Sequence, residues 1–274
     1  MRPFDGRRIL LGVTGGIASY KSVMLARLLT QAGAEVDVVM TRAAQEFVGA
    51  ITFEAVTGRR SYSEIFGSGN ALDHIRLAKE ANLFVVAPAT ADFLARAAHG
   101  HADDLLTASL LANTAPVVLV PAMNDRMWAN PQTTRNAQSL REAGYTVIDP
   151  DEGPLAAGEG NGPGRMPEPE TIMAHLARVL EPPGSIRGRK VVVTAGATRE
   201  AIDPVRFISN HSTGRMGVAV ADAAWRRGAE VMLIAGHIEV GPVAGVAVEA
   251  VDTVEEMRNA VDRALASADV LVMA

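Results

Sequence analysis

"RRILLGVTGGIASYKSVMLARLLTQAG" (Arg7–Gly33) changes periodicity partway along its length. Its first residues, "RRILLGV", form an apolar, β-rich run without polar alternation, the pattern of a strand buried on both faces. From Ser19 onward, Met24, Leu25, Leu28 and Leu29 recur at helical spacing. The join is a glycine-rich turn, "GVTGGIASYKS" (Gly12–Ser22). A strand that turns tightly into a helix is the repeating unit of an α/β fold, and the chain repeats it. "AEVDVVMT", "ANLFVVAPAT" and "APVVLVPAMN" read as further strands, and "YTVIDP" as a fifth. An Ala/Leu-rich helix separates "ANLFVVAPAT" from "APVVLVPAMN". Such a series predicts a parallel sheet covered on both sides.

"EPPGSIRG" (Glu181–Gly188) interrupts the series with prolines and glycines and reads as a linker. The cycle then restarts: strand "KVVVTAG", a long polar loop, helix "MGVAVADAAWRRGA", strand "EVMLIAG", helix "TVEEMRNAVDRALA" and strand "DVLVMA". The prediction is a flavodoxin-like or Rossmann-like doubly wound sheet over 1–182, a linker over 183–188, and the first part of a second Rossmann-like domain over 189–274. The sequence stops on a strand, without the following loop where open α/β sheets bind ligands, so the second domain reads as cut short.

The length, 274 residues, suits two domains at roughly 100–200 residues each. Hydrophobic residues make up 48% but aromatics only 4%, so aliphatic side chains must fill the core. A net charge of −5, without a basic block, argues against general affinity for nucleic acid or membrane. No signal peptide is evident, and no apolar run approaches the ~18 residues of a membrane span. The absence of cysteine excludes disulfides, cysteine metal sites and cysteine nucleophiles. A cytoplasmic location is the expectation.

Several turns offer sites. Glycines in Gly12–Ser22 would let backbone amides approach an anion at a helix N-terminus, or they would serve only a tight turn. The loop is neither G-x-G-x-x-G nor a Walker loop, which disfavours a nicotinamide dehydrogenase or an NTPase. Thr41, closing the second strand, would meet the same anion or cap the helix of "RAAQEF". "APATADF" (Ala87–Phe93) ends its strand in small residues that admit a flat ring, while Thr90 or Asp92 would cap the next helix. His99 and His101 with Asp103 and Asp104 resemble a metal set. The segment reads as helical, however, so the two histidines would face different ways, and no metal site is expected. His74 follows "FGSGNA" and opens a helix, either as an acid–base near neutral pH or as a surface cap. "LAAGEGNGPGRMPEP" (Leu155–Pro169) reads as a connector or a lid, with Arg165 available to an anionic substrate. "PAMNDRMW" (Pro121–Trp128) sets an amide, Asn124, at the end of a buried strand.

Together, "GVTGGIASYK", "PATADF...HGHADDLLT", "PAMNDRMW" and "GPGRM" resemble the flavin-containing cysteine decarboxylases. The resemblance extends to bifunctional proteins of coenzyme A biosynthesis, in which phosphopantothenoylcysteine decarboxylase is fused to phosphopantothenate–cysteine ligase. "TAGATREAIDPVRFISNHSTGRMG" resembles the start of that ligase. The resemblance covers nearly the whole chain; P-x-M-N-x-x-M-W is specific, the glycine loops are not.

The resemblance implies FMN as cofactor, its phosphate on Gly15, Ile17, Ala18 and Thr41. The ring would lie near Phe53 and the turn of Pro88, Ala89, Thr90 and Asp92. It implies that Asn124 binds the departing carboxylate, with Met127 packing beside it, and that His74 assists oxidation of the substrate thiol. It also implies a trimer, or a trimer-based assembly, with flavin bound between subunits. In the ligase it implies CTP with Mg²⁺, and Asn210 helping to form or use an acyl-cytidylate; the loops that hold the triphosphate would lie beyond Ala274, so no ligase activity is expected of this sequence. Two departures stand out. Asp92 is an acid where the family pattern has an amide. Leu155-Ala156-Ala157-Gly158 replaces Leu-Ala-Cys-Gly, so Ala157 lacks the proton that completes the last reduction, and Glu159 is the nearest substitute. Two other readings remain open: a non-catalytic regulatory flavoprotein of the same fold, and another flavin enzyme such as a flavin prenyltransferase.

Overall fold

The computed structural model describes residues 3–65, 72–155, 160–181, 184–242 and 245–274. Ala157 and Glu159, and the "FGSGNA" stretch before Leu72, lie outside the described residues. The chain forms two compact units, Met1–Leu176 and Ala177–Ala274, a division that falls within a helix rather than at the Pro-rich stretch after Glu181.

In chain order the first unit contains β1 (Arg8–Val13), α1 (Ser19–Gln31), β2 (Glu35–Met40), α2 (Arg42–Gln45), α3 (Ala50–Thr57), β3 (Ser61–Tyr62), α4 (Asp73–Glu80), β4 (Leu83–Ala89), α5 (Ala91–Ala98), α6 (Leu105–Ala112), β5 (Val117–Pro121), α7 (Asp125–Trp128), α8 (Pro131–Glu142), β6 (Thr146–Val147), β7 (Asp151–Pro154) and β8 (Asn161–Arg165). Helix α9 (Pro169–Leu180) crosses the division. The main sheet runs β3-β2-β1-β4-β5-β6, and every pairing in it is parallel. Without the two-residue β3, this is the flavodoxin-like order. The order reverses between β1 and β4, so the crevice beyond their C-terminal ends is where a ligand is expected.

Burial explains why the strand runs are continuous rather than alternating. All seven residues of β4 are buried, as are five of the six in β1. Leu25 and Leu29 of α1 are fully enclosed, each contributing about 1.5–3 kcal/mol by leaving water. Gly12 sits where a Cβ would come within 2.4 Å of Leu106 Cδ1, so the lack of a side chain lets α6 close on the sheet.

Two sequence expectations change. The His99–Asp103 segment is a break, not helix: His99 caps the end of α5, Gly100 follows at φ +68°, and Asp104 begins α6 with a capping box to Thr107. Within Leu155–Pro169, residues Asn161–Arg165 form a strand paired antiparallel with β7, rather than a structureless connector.

The second unit contains β9 (Lys190–Ala195), β10 (Arg199–Ala201), β11 (Phe207–Ser209), α10 (Arg215–Arg226), β12 (Glu230–Ala235), β13 (Ala247–Ala250), α11 (Val254–Leu265) and β14 (Val270–Met273). Its parallel sheet has the order β13-β12-β9-β14, with β10 and β11 forming a separate hairpin. No helix among the described residues is long and apolar enough to cross a membrane.

Candidate functional site

Two clefts open at the C-terminal ends of the first sheet. The larger, about 740 Å³, is lined by Gly15, Thr41, Thr90, Asp92 and Met127 among others. The smaller, about 400 Å³, is lined by Gly15–Ala18, Lys21, Thr90, Asn124, Met127 and Arg165. They share Gly15, Thr90, Ala91 and Met127 as a common wall, and both volumes suit a cofactor-sized ligand.

The floor is held by short polar side chains. Thr14 Oγ1 donates to the Pro88 carbonyl at 2.8 Å and accepts the Thr90 N–H at 3.1 Å, tying the end of β1 to the end of β4. Ser22 Oγ donates to the Ala87 carbonyl at 2.5 Å, fixing α1 on β4. Gly15 is required by packing: a Cβ there would stand 2.4 Å from Ala43 Cβ and 2.8 Å from its carbonyl carbon. Gly16 differs, because its missing Cβ would meet only Thr90 Cγ2 at 3.9 Å, leaving open space. Helix α1 has Ala18 at its N-cap and no side-chain cap. The Ser19 and Lys21 N–H already donate to the Gly16 and Ala18 carbonyls at 3.0 and 2.9 Å, so what the helix start offers an external anion is the positive end of its dipole. An uncapped helix start, an open glycine and small side chains at Thr90 and Ala91 fit a phosphate with a flat ring beside it.

Thr41 and Thr90 both serve as caps, accepting the N–H of Ala44 at 3.2 Å and of Phe93 at 3.3 Å. Both also line the larger cleft. Asp92 is open to solvent, 3.9 Å from Arg96. Pro88 and Ala89 are buried behind the cleft walls rather than on them. Phe53 requires a correction: it is 0% exposed within α3 and lines neither cleft.

Asn124 ends the β5 crossover as the N-cap of α7. Its Oδ1 accepts the Arg126 N–H at 3.0 Å. The acceptor is thus occupied, and Nδ2, a donor on the cleft wall, has no hydrogen-bond partner among the described residues. The neighbouring hairpin is pinned to the same segment, since the Met123 N–H donates to the Gly164 carbonyl at 3.0 Å. A Cβ at Gly164 would fall 2.2 Å from the Met123 oxygen, so only glycine allows this approach. Arg165 therefore stands beside Asn124 on the wall of the smaller cleft.

Sequence reasoning missed Thr14 and Lys21. A hydroxyl just before the glycine pair was the available signal for Thr14. Lys21 lies at i−4 from Leu25 and i−8 from Leu29, a charge on the buried stripe of α1, and it is only 5% exposed. Its Nζ donates to the Met166 carbonyl at 2.7 Å and to Glu168 Oε1 at 3.0 Å. That hydrogen bond holds the Glu168 carboxyl below the usual range, whereas burial pushes the Asp151 carboxyl up.

His74, on the first turn of α4, lines neither cleft. Its Nδ1 is buried and has no hydrogen-bond partner among the described residues. In the second unit, Asn210 is exposed just after β11, next to a cleft of about 310 Å³ lined by Gly196, His211–Gly217 and Ala274 that it does not itself line.

A protein-family model described as Flavoprotein matches residues 2–181. One described as DNA/pantothenate metabolism flavoprotein C-terminal domain matches residues 186–274. The chain is 48% identical to the coenzyme A biosynthesis bifunctional protein CoaBC of Mycobacterium tuberculosis, over 98% of this chain and 65% of that protein's length. Among solved structures, the FMN-dependent cysteine decarboxylase SpaF is 34% identical with a TM-score of 0.55, over 65% of this chain and 99% of that one. A PPC decarboxylase mutant complexed with pantothenoylaminoethenethiol is 32% identical with a TM-score of 0.56, over 62% of this chain and 96% of that one.

Proposed function

The chain belongs to the flavoprotein family, and on that premise we propose that its first unit is an FMN-dependent decarboxylase of 4′-phospho-N-pantothenoylcysteine, acting in coenzyme A biosynthesis. The observation that carries this reading is the single wall shared by an uncapped helix start and an amide donor, Gly15–Ala18 and Asn124. Functionally, the proposed division is a decarboxylase over 1–182, a linker over 183–188 and a ligase-type unit over 189–274. In the ligase-type unit Asn210 would act on an acyl-cytidylate made with CTP and Mg²⁺.

Gly15, Ile17, Ala18 and Thr41 would hold the FMN phosphate, with Thr90 and Asp92 along the ring and Pro88 and Ala89 shaping the turn beneath. Bound FMN supplies a two-electron acceptor for the substrate thiol, which makes the carboxylate a good leaving group. The chain's own part is to orient and to move protons. Asn124 Nδ2 donates to the substrate carboxylate. A neutral amide suits that task, because a cation there would stabilise the carboxylate in the ground state and oppose its loss. Met127 covers the apolar side. His74 receives the thiol proton. It does so from a neighbouring copy in a trimer, which accounts for its place outside this subunit's clefts; because Nδ1 is buried, Nε2 is the nitrogen that takes the proton. Arg165 holds an anionic group of the substrate.

Ala157 has no proton to donate, so the final reduction is slowed while oxidation and loss of CO₂ proceed. Losing a positioned acid costs about 10²–10⁴-fold. Single turnover with phosphopantothenoylcysteine, read by mass spectrometry, tests the proposal. Loss of CO₂ with accumulation of an enethiol two mass units below the thiol is expected. No decarboxylated product would refute the activity. Fully reduced 4′-phosphopantetheine at a normal rate would refute only the Ala157 step and direct attention to Glu159→Gln.

A further inference from the structure

One carboxylate oxygen beside the smaller cleft, whose wall includes Lys21 and Arg165 but not Glu168 itself, serves two cations. Glu168 Oε1 accepts from Lys21 Nζ at 3.0 Å and also from Arg165 Nη2. The two cations are unequal. Lys21 is enclosed, and a second bond to the Met166 carbonyl holds it. An enclosed ammonium loses more by giving up its counter-ion than a part-exposed guanidinium does, so Glu168 is tied to Lys21 more firmly than to Arg165. The Arg165 side chain is 39% exposed; among the described residues its guanidinium hydrogen-bonds Glu168 alone, with the Asp151 carboxyl close enough to act on it electrostatically. Arg165 is the less enclosed member, and it lines the cleft with Asn124.

We propose that Glu168 is an internal mimic of the substrate's anionic group. It occupies Arg165 in the free protein and is retained by Lys21 when Arg165 turns to an incoming anion. Lys21 and Glu168 are thus positioning residues that set how readily Arg165 is released. This rests on the proposed role of Arg165 in substrate binding. The arrangement keeps the guanidinium from being left unpaired beside Lys21 in the empty cleft, and makes substrate affinity the difference between two anions. A partly exposed ion pair alters an equilibrium by about two- to five-fold, which is the expected scale of the competition.

The test is steady-state decarboxylation by the FMN-loaded protein over a range of phosphopantothenoylcysteine concentrations. Glu168→Gln keeps an oxygen for Lys21 but removes the competing charge, so KM should fall about two- to five-fold with kcat unchanged. Lys21→Met leaves Glu168 to Arg165 alone and should raise KM by a similar factor, with Lys21→Arg restoring part of it. A purely structural role for Glu168 would not lower KM. Should Glu168→Gln fail to fold, Glu168→Asp, which retracts the carboxylate by one methylene, should lower KM in the same direction. Arg165→Ala separates the layers. If it leaves KM unchanged, the assignment of Arg165 fails, and this inference with it. If it raises KM while the Glu168 variant that folds leaves KM unchanged or higher, only the mimic is overturned.

Discussion

Both units join a central strand to a helix through a glycine-bearing segment, a short turn in the first and a long loop with a hairpin in the second, and the glycines do different things. In the second unit, Gly214 caps α10 at φ +72°, where a Cβ would meet Ile238 Cγ2 at 2.3 Å; Gly217 would place one 2.6 Å from Ala195 Cβ. Both are demanded by packing. In the first unit Gly15 is demanded in the same way by Ala43, but Gly16 faces open space. A glycine count cannot tell these apart. The difference shows which turn has room for a ligand against its backbone: the turn before α1, whose clefts are about 740 and 400 Å³, rather than the one before α10, at about 310 Å³.

The largest expected effect falls outside both turns. Asn124→Asp preserves the cap, because a carboxylate oxygen still accepts the Arg126 N–H, but it replaces the amide donor with a charge facing the substrate carboxylate. Turnover should drop by about 10²–10³-fold with the melting temperature held. Activity near wild type would remove Asn124 from the mechanism.

Next are the packing glycines. Gly15→Ala and Gly214→Ala should each destabilise their own unit by about 1–3 kcal/mol, read from denaturant melts. Gly15→Ala should also reduce bound flavin, and Gly214→Ala should not. Equal loss of flavin in both would erase the contrast between the turns. Gly16→Ala sharpens it further. With open space around the new methyl, stability should stay within about 0.5 kcal/mol while flavin occupancy falls. Unchanged occupancy would show that the open face of Gly16 is not the cradle.

The smallest effect concerns pH. Glu168 is faced by Lys21, Arg165 and Asp151, and its carboxyl lies below its ordinary value, chiefly through the Lys21 hydrogen bond. Its contribution is therefore fully present above the unfolded carboxyl value near 4.3, and is lost as pH falls through the lower folded value. Because Glu168 is half exposed, the contribution should stay below about 1 kcal/mol. Melts of wild type and Glu168→Gln should differ at about pH 6 and converge near about pH 3. A gap that is constant with pH would contradict the shift.

The long elements were legible because burial on both faces leaves an unbroken apolar run. This is how β1, β4, β5, β9 and β12 showed themselves. The short ones were not. Strand β8, "NGPGR", carries almost no apolar content and exists through pairing with β7 and the Met123–Gly164 bond, both tertiary. The His99–Asp103 break was hidden by helix-forming neighbours, although Gly100 at positive φ and the Asp104 cap supplied the cause. Gly15, Thr41, Thr90 and Asn124 could be placed beside the clefts from sequence because each stands at or just beyond the C-terminal end of a parallel strand. Phe53 was not, because its enclosure within α3 depends on packing that no local pattern encodes. Lys21 carried a signal, a charge on an apolar stripe, whose meaning emerged only with its partners Met166 and Glu168.

The central claim, that the uncapped start of α1 and its open glycine receive the phosphate of FMN, is tested most directly by identifying the flavin released from the purified protein. The account predicts a yellow protein that yields FMN alone on acid release, bound close to one per chain after reconstitution. A colourless protein that FMN cannot reconstitute, or one that releases only FAD, would contradict it.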